Sequence, residues 1–221
     1  HLRSSRMKFL AWHLGLGDAI ACADLAVRLA DGEQMFVPCY AHNEVSVRSI
    51  FVNHPNIGIC DPLDPVIVKF GIERKDIIDL GSYSGIPRKE GEDMVEWMYR
   101  TAGMDPATRF DSQMVAKAAH GYGTYFVTGH AILVHQDNDR GFVTDRKYIP
   151  VGNVVGVNSA AGKSILAWWK SIETAAEIHC IDSSVLHLVE QLQPTGKLFY
   201  HKYARPQREN HKLRHNWTVI E

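Results

Sequence analysis

Short apolar runs alternate with amphipathic segments through the first half of the chain. Apolar strands are predicted over residues 7–13, 34–40, 56–60 and 76–80, and helices over residues 18–30 and 41–53. Asp31-Gly32 and His54-Pro55 supply the signals that end the two helices. Alternating strands and helices of this kind predict a parallel sheet that is covered by helices on both faces.

The same alternation returns in the second half of the chain. Strands are predicted over residues 131–135, 154–157, 178–181 and 197–203, and helices over residues 164–176 and 183–192. Between the halves, residues 82–123 are rich in glycine, proline and charge around an amphipathic stretch at 93–102, which predicts a connection between domains. The sequence therefore predicts an α/β protein of two small Rossmann-like domains, residues 1–120 and residues 121–221, with a cleft between them.

Composition and charge narrow the function classes. The 221 residues are 45% hydrophobic and 22% charged, with a formal net charge of -1, which excludes a disordered, collagen-like or coiled-coil chain. Binding to a phosphate backbone needs a surplus of Lys and Arg, so the balanced charge argues against nucleic acid as a partner. No apolar run approaches the roughly 20 residues that span a bilayer, so no membrane span is predicted.

The four cysteines, Cys22, Cys39, Cys60 and Cys180, form no CxxC pair and lie in apolar surroundings. This pattern favours buried free thiols in a reducing compartment, and so a cytoplasmic protein, over a disulfide framework or a zinc site. The residues before Met7 are polar and do not form a signal peptide. Either Met7 is a native start preceded by additional residues, or the chain is a domain of a larger multidomain enzyme.

The first candidate site is the turn HLGLGD between the first strand and its helix. Gly15 and Gly17 let another group approach the backbone closely, and the helix N-terminus behind them favours negative charge. Asp18, at the carboxyl end of a strand, is a candidate general base toward a hydroxyl, with His13 beside it; the alternative is that Asp18 only caps the helix. A dinucleotide site is disfavoured because Ile20 replaces the third glycine and no acidic residue ends the second strand.

The second candidate site is the start of the helix predicted at 183–192. Asp182, Ser183 and Ser184 place hydroxyl and N–H groups there, which suits a phosphate or diphosphate, although the same residues also serve as ordinary N-caps. His187 lies one helical turn after Ser183, on the same face. Lys202, at the end of the last predicted strand, could add a cationic contact at this edge of the sheet.

The third candidate site is the loop after the strand at 131–135. Arg140 could clamp a diphosphate through paired hydrogen bonds, with His135 and Asp137 orienting it or the sugar, and the alternative is a solvated surface turn. Asp137 and Asp139 also have the DxD spacing with which metal-dependent sugar transferases hold a nucleotide sugar. That metal-dependent function therefore stays open as a rival.

Residues 156–164 look like a phosphate-binding P-loop before a helix. The loop is one residue too long for the P-loop spacing, which disfavours a P-loop ATPase and leaves Lys163 as a candidate anion contact. Neither HExxH nor GxSxG occurs in the chain.

The GLGD turn after the first strand and the late segment IDSS-x-x-H together resemble the GT-B glycosyltransferases. The pairing is similar to that of the heptosyltransferase-like group, in which a GD turn near the start accompanies a DS-x-x-x-H segment in the second domain. Fucosyltransferase-like families are similar in placing an Arg-bearing loop after a strand of the second domain. The resemblance covers these three short segments in a chain that is compact for the group.

The resemblance implies a function and a role for each segment. Asp18 would be the base that deprotonates the acceptor hydroxyl, Ser183, Ser184 and His187 would bind the donor diphosphate, and Arg140 would stabilise the departing nucleoside diphosphate. The implied reaction is inverting sugar transfer from a nucleotide-diphosphate sugar to a glycan acceptor between the domains, in glycan biosynthesis, without a metal or other cofactor. From a different class, a non-catalytic nucleotide- or phosphate-binding α/β module remains the alternative.

Overall fold

A computed structural model describes residues 7–81, 84–111, 113–124, 130–158, 163–205 and 211–221. The first six residues and Gly162 of the P-loop-like segment therefore lie outside the described residues. The chain divides into two compact units, His1–Met114 and Val115–Glu221. The predicted boundary followed residue 120.

Unit 1 contains a four-stranded parallel sheet in the order β3-β2-β1-β4. Its strands are β1 (Met7–Ala11), β2 (Gln34–Pro38), β3 (Ile57–Cys60) and β4 (Ile77–Asp79). Its helices are α1 (Leu16–Ala21), α2 (Ala23–Ala30), α3 (Glu44–Ile50), α4 (Val66–Lys69) and α5 (Met94–Thr101), and α6 (Met114–His120) begins at its boundary. The predicted helix at 18–30 is thus divided at Cys22, and the one at 41–53 begins with a 3₁₀ turn, Ala41–Asn43.

The strand order of unit 1 reverses at β1. The chain moves from β1 to β2 and β3 on one side, then returns to place β4 on the other side of β1. Phe9 accordingly pairs with Phe36 of β2 and with Ile77 of β4. Open α/β sheets bind ligands at such a reversal of strand order, outside the carboxyl ends of the strands. The loop after β1 lies at this position.

The segment predicted to connect the domains, residues 82–123, contains the boundary between the two units, and its first part belongs to unit 1. Asp93 and Glu96 form a capping box that begins α5, with the Asp93 carboxylate accepting from the Glu96 amide at 2.8 Å. Met98 on the buried face of α5 accepts a hydrogen bond from the Cys22 thiol at 3.4 Å. The amphipathic stretch at 93–102 thus contains the helix α5, which contacts the start of α2.

Unit 2 contains a five-stranded parallel sheet in the order β6-β5-β7-β8-β9. Its strands are β5 (Ile132–His135), β6 (Val154–Gly156), β7 (Glu177–Cys180), β8 (Lys197–His201) and β9 (Trp217–Ile220), and its helices are α7 (Trp169–Thr174), α8 (Ser184–Gln191) and all but the first residue of α6. A 3₁₀ turn, Ile165–Trp168, occupies the first part of the helix predicted at 164–176. The edge strand β9 was not predicted.

The order of strands in unit 2 also reverses beside its first strand. The chain places β6 on one side of β5 and β7 on the other, so the loops after β5 and β7 lie side by side at the carboxyl edge of the sheet. These loops carry the second and third candidate sites. A reversal of strand order therefore adjoins the candidate residues in each unit.

The fold class predicted from the sequence, an α/β protein with two parallel Rossmann-type sheets, is confirmed. The prediction of buried free thiols is also confirmed for all four cysteines. Within the described part of the chain, no helix has both the length and the apolar character needed to cross a membrane.

Candidate functional site

The glycine turn after β1 brings the Asp18 carboxylate back toward the start of α1. Gly15 is the N-cap residue of this helix, with an ordinary φ of -71°. A Cβ at position 15 would lie 2.6 Å from Asp18 Oδ2, which is inside van der Waals contact. Glycine is therefore needed at position 15 for close approach of the carboxylate and not for an unusual backbone conformation. Asp18 itself is partly buried.

The loop that leads from β1 into α1 also carries His13, and Cys22 follows the last residue of α1. His13 is partly buried, and its Nε2 atom has no hydrogen-bond partner among the residues that the structure describes. Burial, followed by the negative charge of Asp18, raises the pKa of the Cys22 thiol. Arg109 and Asp93 form an ion pair at 3.3 Å. The positive charge of Arg109 lowers the pKa of Cys22, and the negative charge of Asp93 raises it. Sequence reasoning missed this pair, because sixteen residues separate its members.

At the start of α8, Ser183 occupies the N-cap position without acting as a cap. An N-cap serine ordinarily accepts a hydrogen bond from an amide of the first helical turn. The Ser183 side chain makes no such bond, and its buried Oγ has no partner within the described ranges. The ordinary-cap alternative raised for this residue does not describe its geometry.

Asp182, just before this N-cap, accepts hydrogen bonds from two residues that follow β8 in the chain. One carboxylate oxygen, Oδ1, accepts from His211 Nε2 at 3.0 Å, and the main-chain carbonyl accepts from Arg205 Nη1 at 2.5 Å. Burial raises the pKa of Asp182, but the hydrogen bond from His211 and the nearby charges of His211, His187 and Arg205 outweigh it, so the pKa is lowered overall. The carboxyl group is therefore ionised at neutral pH.

The loop after β5 is held by contacts within itself. The Arg140 guanidinium donates from Nε to the Asp137 carboxylate at 2.5 Å and lies 5.7 Å from the Phe142 ring. The Arg205 guanidinium lies 4.7 Å from the centroid of the same ring. In this conformation the Asp137 carboxylate bonds to Arg140, whereas Asp139 and Arg140 are exposed to solvent.

The remaining predicted residues have separate partners. His135 Nδ1 donates to the Val157 carbonyl at 2.7 Å, and burial lowers the His135 pKa, so its ring is neutral at pH 7 with Nε2 as an acceptor. Lys202 pairs with Glu221 at 2.9 Å. Lys163 is exposed. Asp182, Ser183 and His187 thus lie together at the start of α8. The Lys202 ammonium group is paired with Glu221 instead.

His211 is a contributor to this site that the sequence did not predict, and Arg205 lies in the same short cationic segment as Lys202. Arg205 is 8% exposed and hydrogen-bonds next to the N-terminus of α8, a place that had been expected for Lys202. His211 comes from a polar segment 29 residues after Asp182. The only local signal for either residue was the basic, His-rich character of the tail.

Comparison with known proteins supports the fold. No protein-family model and no curated sequence matches the chain. Among solved structures, it is similar to the iron-containing dodecameric glycosyltransferase TibC from enterotoxigenic E. coli H10407, with 9% identity, a TM-score of 0.51 and coverage of 90% of this chain and 58% of that one. A TibC complex with ADP-D-beta-D-heptose gives 11% identity, a TM-score of 0.53 and coverage of 89% and 59%.

The E. coli heptosyltransferase WaaC, with ADP-2-deoxy-2-fluoro heptose, is similar over 97% of this chain and 92% of that one, with 10% identity and a TM-score of 0.52. The chain thus spans under two thirds of the length of TibC and nearly all of WaaC. Identities this low establish the fold alone. The class defined here is an α/β protein with the GT-B-like fold of these structures.

Proposed function

We propose that this chain is a glycosyltransferase that moves a sugar from a nucleotide-diphosphate donor to a hydroxyl acceptor. The observation that carries the proposal is the buried Ser183 hydroxyl, which occupies the N-cap of α8 and has no partner among the described residues. The names of the similar structures support the same class of donor, since one TibC structure contains ADP-D-beta-D-heptose and the WaaC structure contains ADP-2-deoxy-2-fluoro heptose.

The diphosphate of the donor would bind at the N-terminus of α8. The first N–H groups of a helix have no intrahelical partner and carry the positive end of the helix dipole, so they favour phosphate oxygens. Ser183 would donate its hydroxyl hydrogen to one such oxygen. The buried Arg205 guanidinium adds a fixed positive charge beside Asp182. Together these groups would stabilise the negative charge that develops on the departing nucleoside diphosphate.

The acceptor would be activated by Asp18. Its carboxylate would accept the proton of the acceptor hydroxyl as that oxygen forms a bond to the anomeric carbon, while the bond from this carbon to the diphosphate oxygen breaks. Attack opposite the leaving group inverts the configuration of the sugar. His13 Nε2 is available for a hydrogen bond to the acceptor. We propose that no metal ion takes part in this step, since the helix N-terminus and Arg205 supply positive charge.

Substitution of Asp18 tests the catalytic assignment. Asp18→Asn is expected to abolish transfer while leaving donor affinity nearly unchanged, with ADP-heptose as the first donor and UDP-, GDP- and dTDP-sugars next. Asp31→Asn is the matched control, because Asp31 is an exposed aspartate of the same unit in a left-handed conformation that asparagine also adopts. Full activity of Asp18→Asn would refute the role of Asp18 as the base.

The same assay separates the alternatives. Donor binding without transfer to any acceptor would favour the non-catalytic nucleotide-binding module. Transfer that stops when EDTA is added and returns with Mn²⁺ would favour a metal-dependent reaction, which the Asp137→Asn and Asp139→Asn variants would assign to that pair. The configuration of the product, read by NMR of the anomeric proton, tests inversion.

A further inference from the structure

A carboxylate and two imidazoles converge at the N-terminus of α8. Asp182, His187 and His211 each offer a ligand atom, and these three atoms all lie within 4.8 Å of one another. His211 Nε2 and Asp182 Oδ1 are 3.0 Å apart, and the rings of His187 and His211 are nearly perpendicular with centroids 5.1 Å apart. The three side chains come from the end of β7, the second turn of α8 and the C-terminal segment.

One oxygen of the Asp182 carboxylate has no hydrogen bond from the residues that the structure describes. Asp182 is 5% exposed, and its Oδ2 atom is buried without a hydrogen-bond partner anywhere in the described part of the chain. Buried carboxylates are ordinarily paired or bound to a metal ion, because burial of an uncompensated charge is costly. Arg205 donates to the main-chain carbonyl of Asp182, so that bond does not serve Oδ2.

The donor set defines the chemistry of the ligand. Two imidazole nitrogens and one carboxylate oxygen suit Zn²⁺ and other first-row transition-metal ions, whereas Mg²⁺ and Ca²⁺ prefer oxygen alone. Bonds of roughly 2.0–2.1 Å to a tetrahedral zinc ion separate its ligands by about 3.3 Å. The Asp182–His211 pair is already close to this spacing. Small side-chain rotations would bring the third ligand atom into range.

The position of His211 is fixed by the segment that carries it. The buried Glu190 carboxylate, near the end of α8, accepts from the Arg214 amide and, at 2.7 Å, from the Trp217 indole. His215 Nε2 donates to the Leu192 carbonyl at 3.0 Å. The segment therefore follows α8 from its first residues to its last. This attachment holds His211 at the helix start before any ion binds.

We propose that Asp182, His187 and His211 form a binding site for one transition-metal dication, for which Zn²⁺ is the probe. The ion ties the C-terminal segment to the start of α8 and neutralises Asp182. This inference goes beyond the proposed function, because the ion is bound without nucleotide and takes no part in the bond-breaking step.

Titration of the metal-free full chain with ZnCl₂ alone, by calorimetry, tests the proposal. One ion is expected per chain, with MgCl₂ producing no comparable binding. His211→Ala and Asp182→Asn are each expected to weaken Zn²⁺ binding more than tenfold, whereas His42→Ala, which removes an exposed histidine in the other unit, leaves it unchanged.

The wild-type protein supplies a readout that needs no variant to fold. In long-range ¹H–¹⁵N spectra, Zn²⁺ is expected to shift the ring nitrogens of His187 and His211 together, at one equivalent. The proposal is overturned if these rings do not respond, or if His42→Ala weakens binding as much as His211→Ala. A wild-type protein that binds Zn²⁺ but binds no nucleotide would overturn the proposed function alone.

Discussion

Ser183→Ala separates a ligand-binding hydroxyl from a helix cap, because the two roles predict opposite effects. The wild-type hydroxyl is buried and makes no capping bond, so the variant loses no hydrogen bond to the described residues of the ligand-free protein. Removal of an unsatisfied buried hydroxyl is neutral or stabilising. The free energy of unfolding should therefore stay the same or rise, whereas loss of a true cap costs about 0.5–2 kcal/mol.

The effect on nucleotide affinity follows from the bond that the hydroxyl would make. A hydrogen bond to a charged group contributes about 1.5–3 kcal/mol, so Ser183→Ala should weaken binding of a nucleoside diphosphate roughly ten- to a hundredfold. Calorimetric titration with ADP, UDP, GDP and dTDP measures the affinity, and urea unfolding measures the stability. Both experiments are done on the ligand-free protein and its variants.

Ser164→Ala is the matched control, since Ser164 is a true N-cap in the same unit. Its hydroxyl accepts from the Leu166 amide at 3.2 Å, and the residue is 2% exposed. This variant should lose about 1 kcal/mol of stability and keep its nucleotide affinity. The reasoning is refuted if Ser183→Ala behaves like Ser164→Ala, losing stability with no change in affinity.

Three further outcomes are expected. Gly15→Ala should move the Asp18 carboxylate by roughly 1 Å and lower the transfer rate about a hundredfold at unchanged donor affinity, and an unchanged rate would contradict this. Gly196→Ala should lower the melting temperature, with a cost of about 1–3 kcal/mol, since its Cβ would overlap the Ala175 carbonyl oxygen; wild-type stability would contradict the packing. Burial, then the charge of a neighbouring histidine, lowers the pKa of His201 from 6.5 to about 4, so the unfolded chain binds more protons between these values and stability should fall as pH drops through them. Urea midpoints measured across that range should show a smaller slope for His201→Asn than for the wild type, and equal slopes would contradict the assignment.

The fold could be predicted from the sequence because its signals are local. Apolar runs such as the one that became β1 are separated by helices of regular length, and a parallel sheet follows from that alternation. Once the sheet is parallel, residues after strands must gather at its carboxyl edge. Asp18 and Asp182 were therefore placed correctly relative to their strands.

The rest of the site depends on contacts that leave no local pattern. His211 reaches Asp182 only because the buried Glu190 holds the segment between Arg214 and Trp217 against α8. The strand β9 depends on the same attachment, and four residues next to a polar segment are too few to stand out. Whether the Ser183 hydroxyl caps its helix is likewise decided by the packing around it.

NMR titration of the ¹⁵N-labelled chain with nucleoside diphosphates tests the central claim, that the N-terminus of α8 binds the donor diphosphate, most directly. Saturable shifts of the Ser184 and Val185 amides are expected with at least one of ADP, UDP, GDP and dTDP, and Ser183→Ala should require a higher nucleotide concentration for the same shifts. No saturable shift with any of the four, or saturable shifts confined to other parts of the chain, would contradict the account.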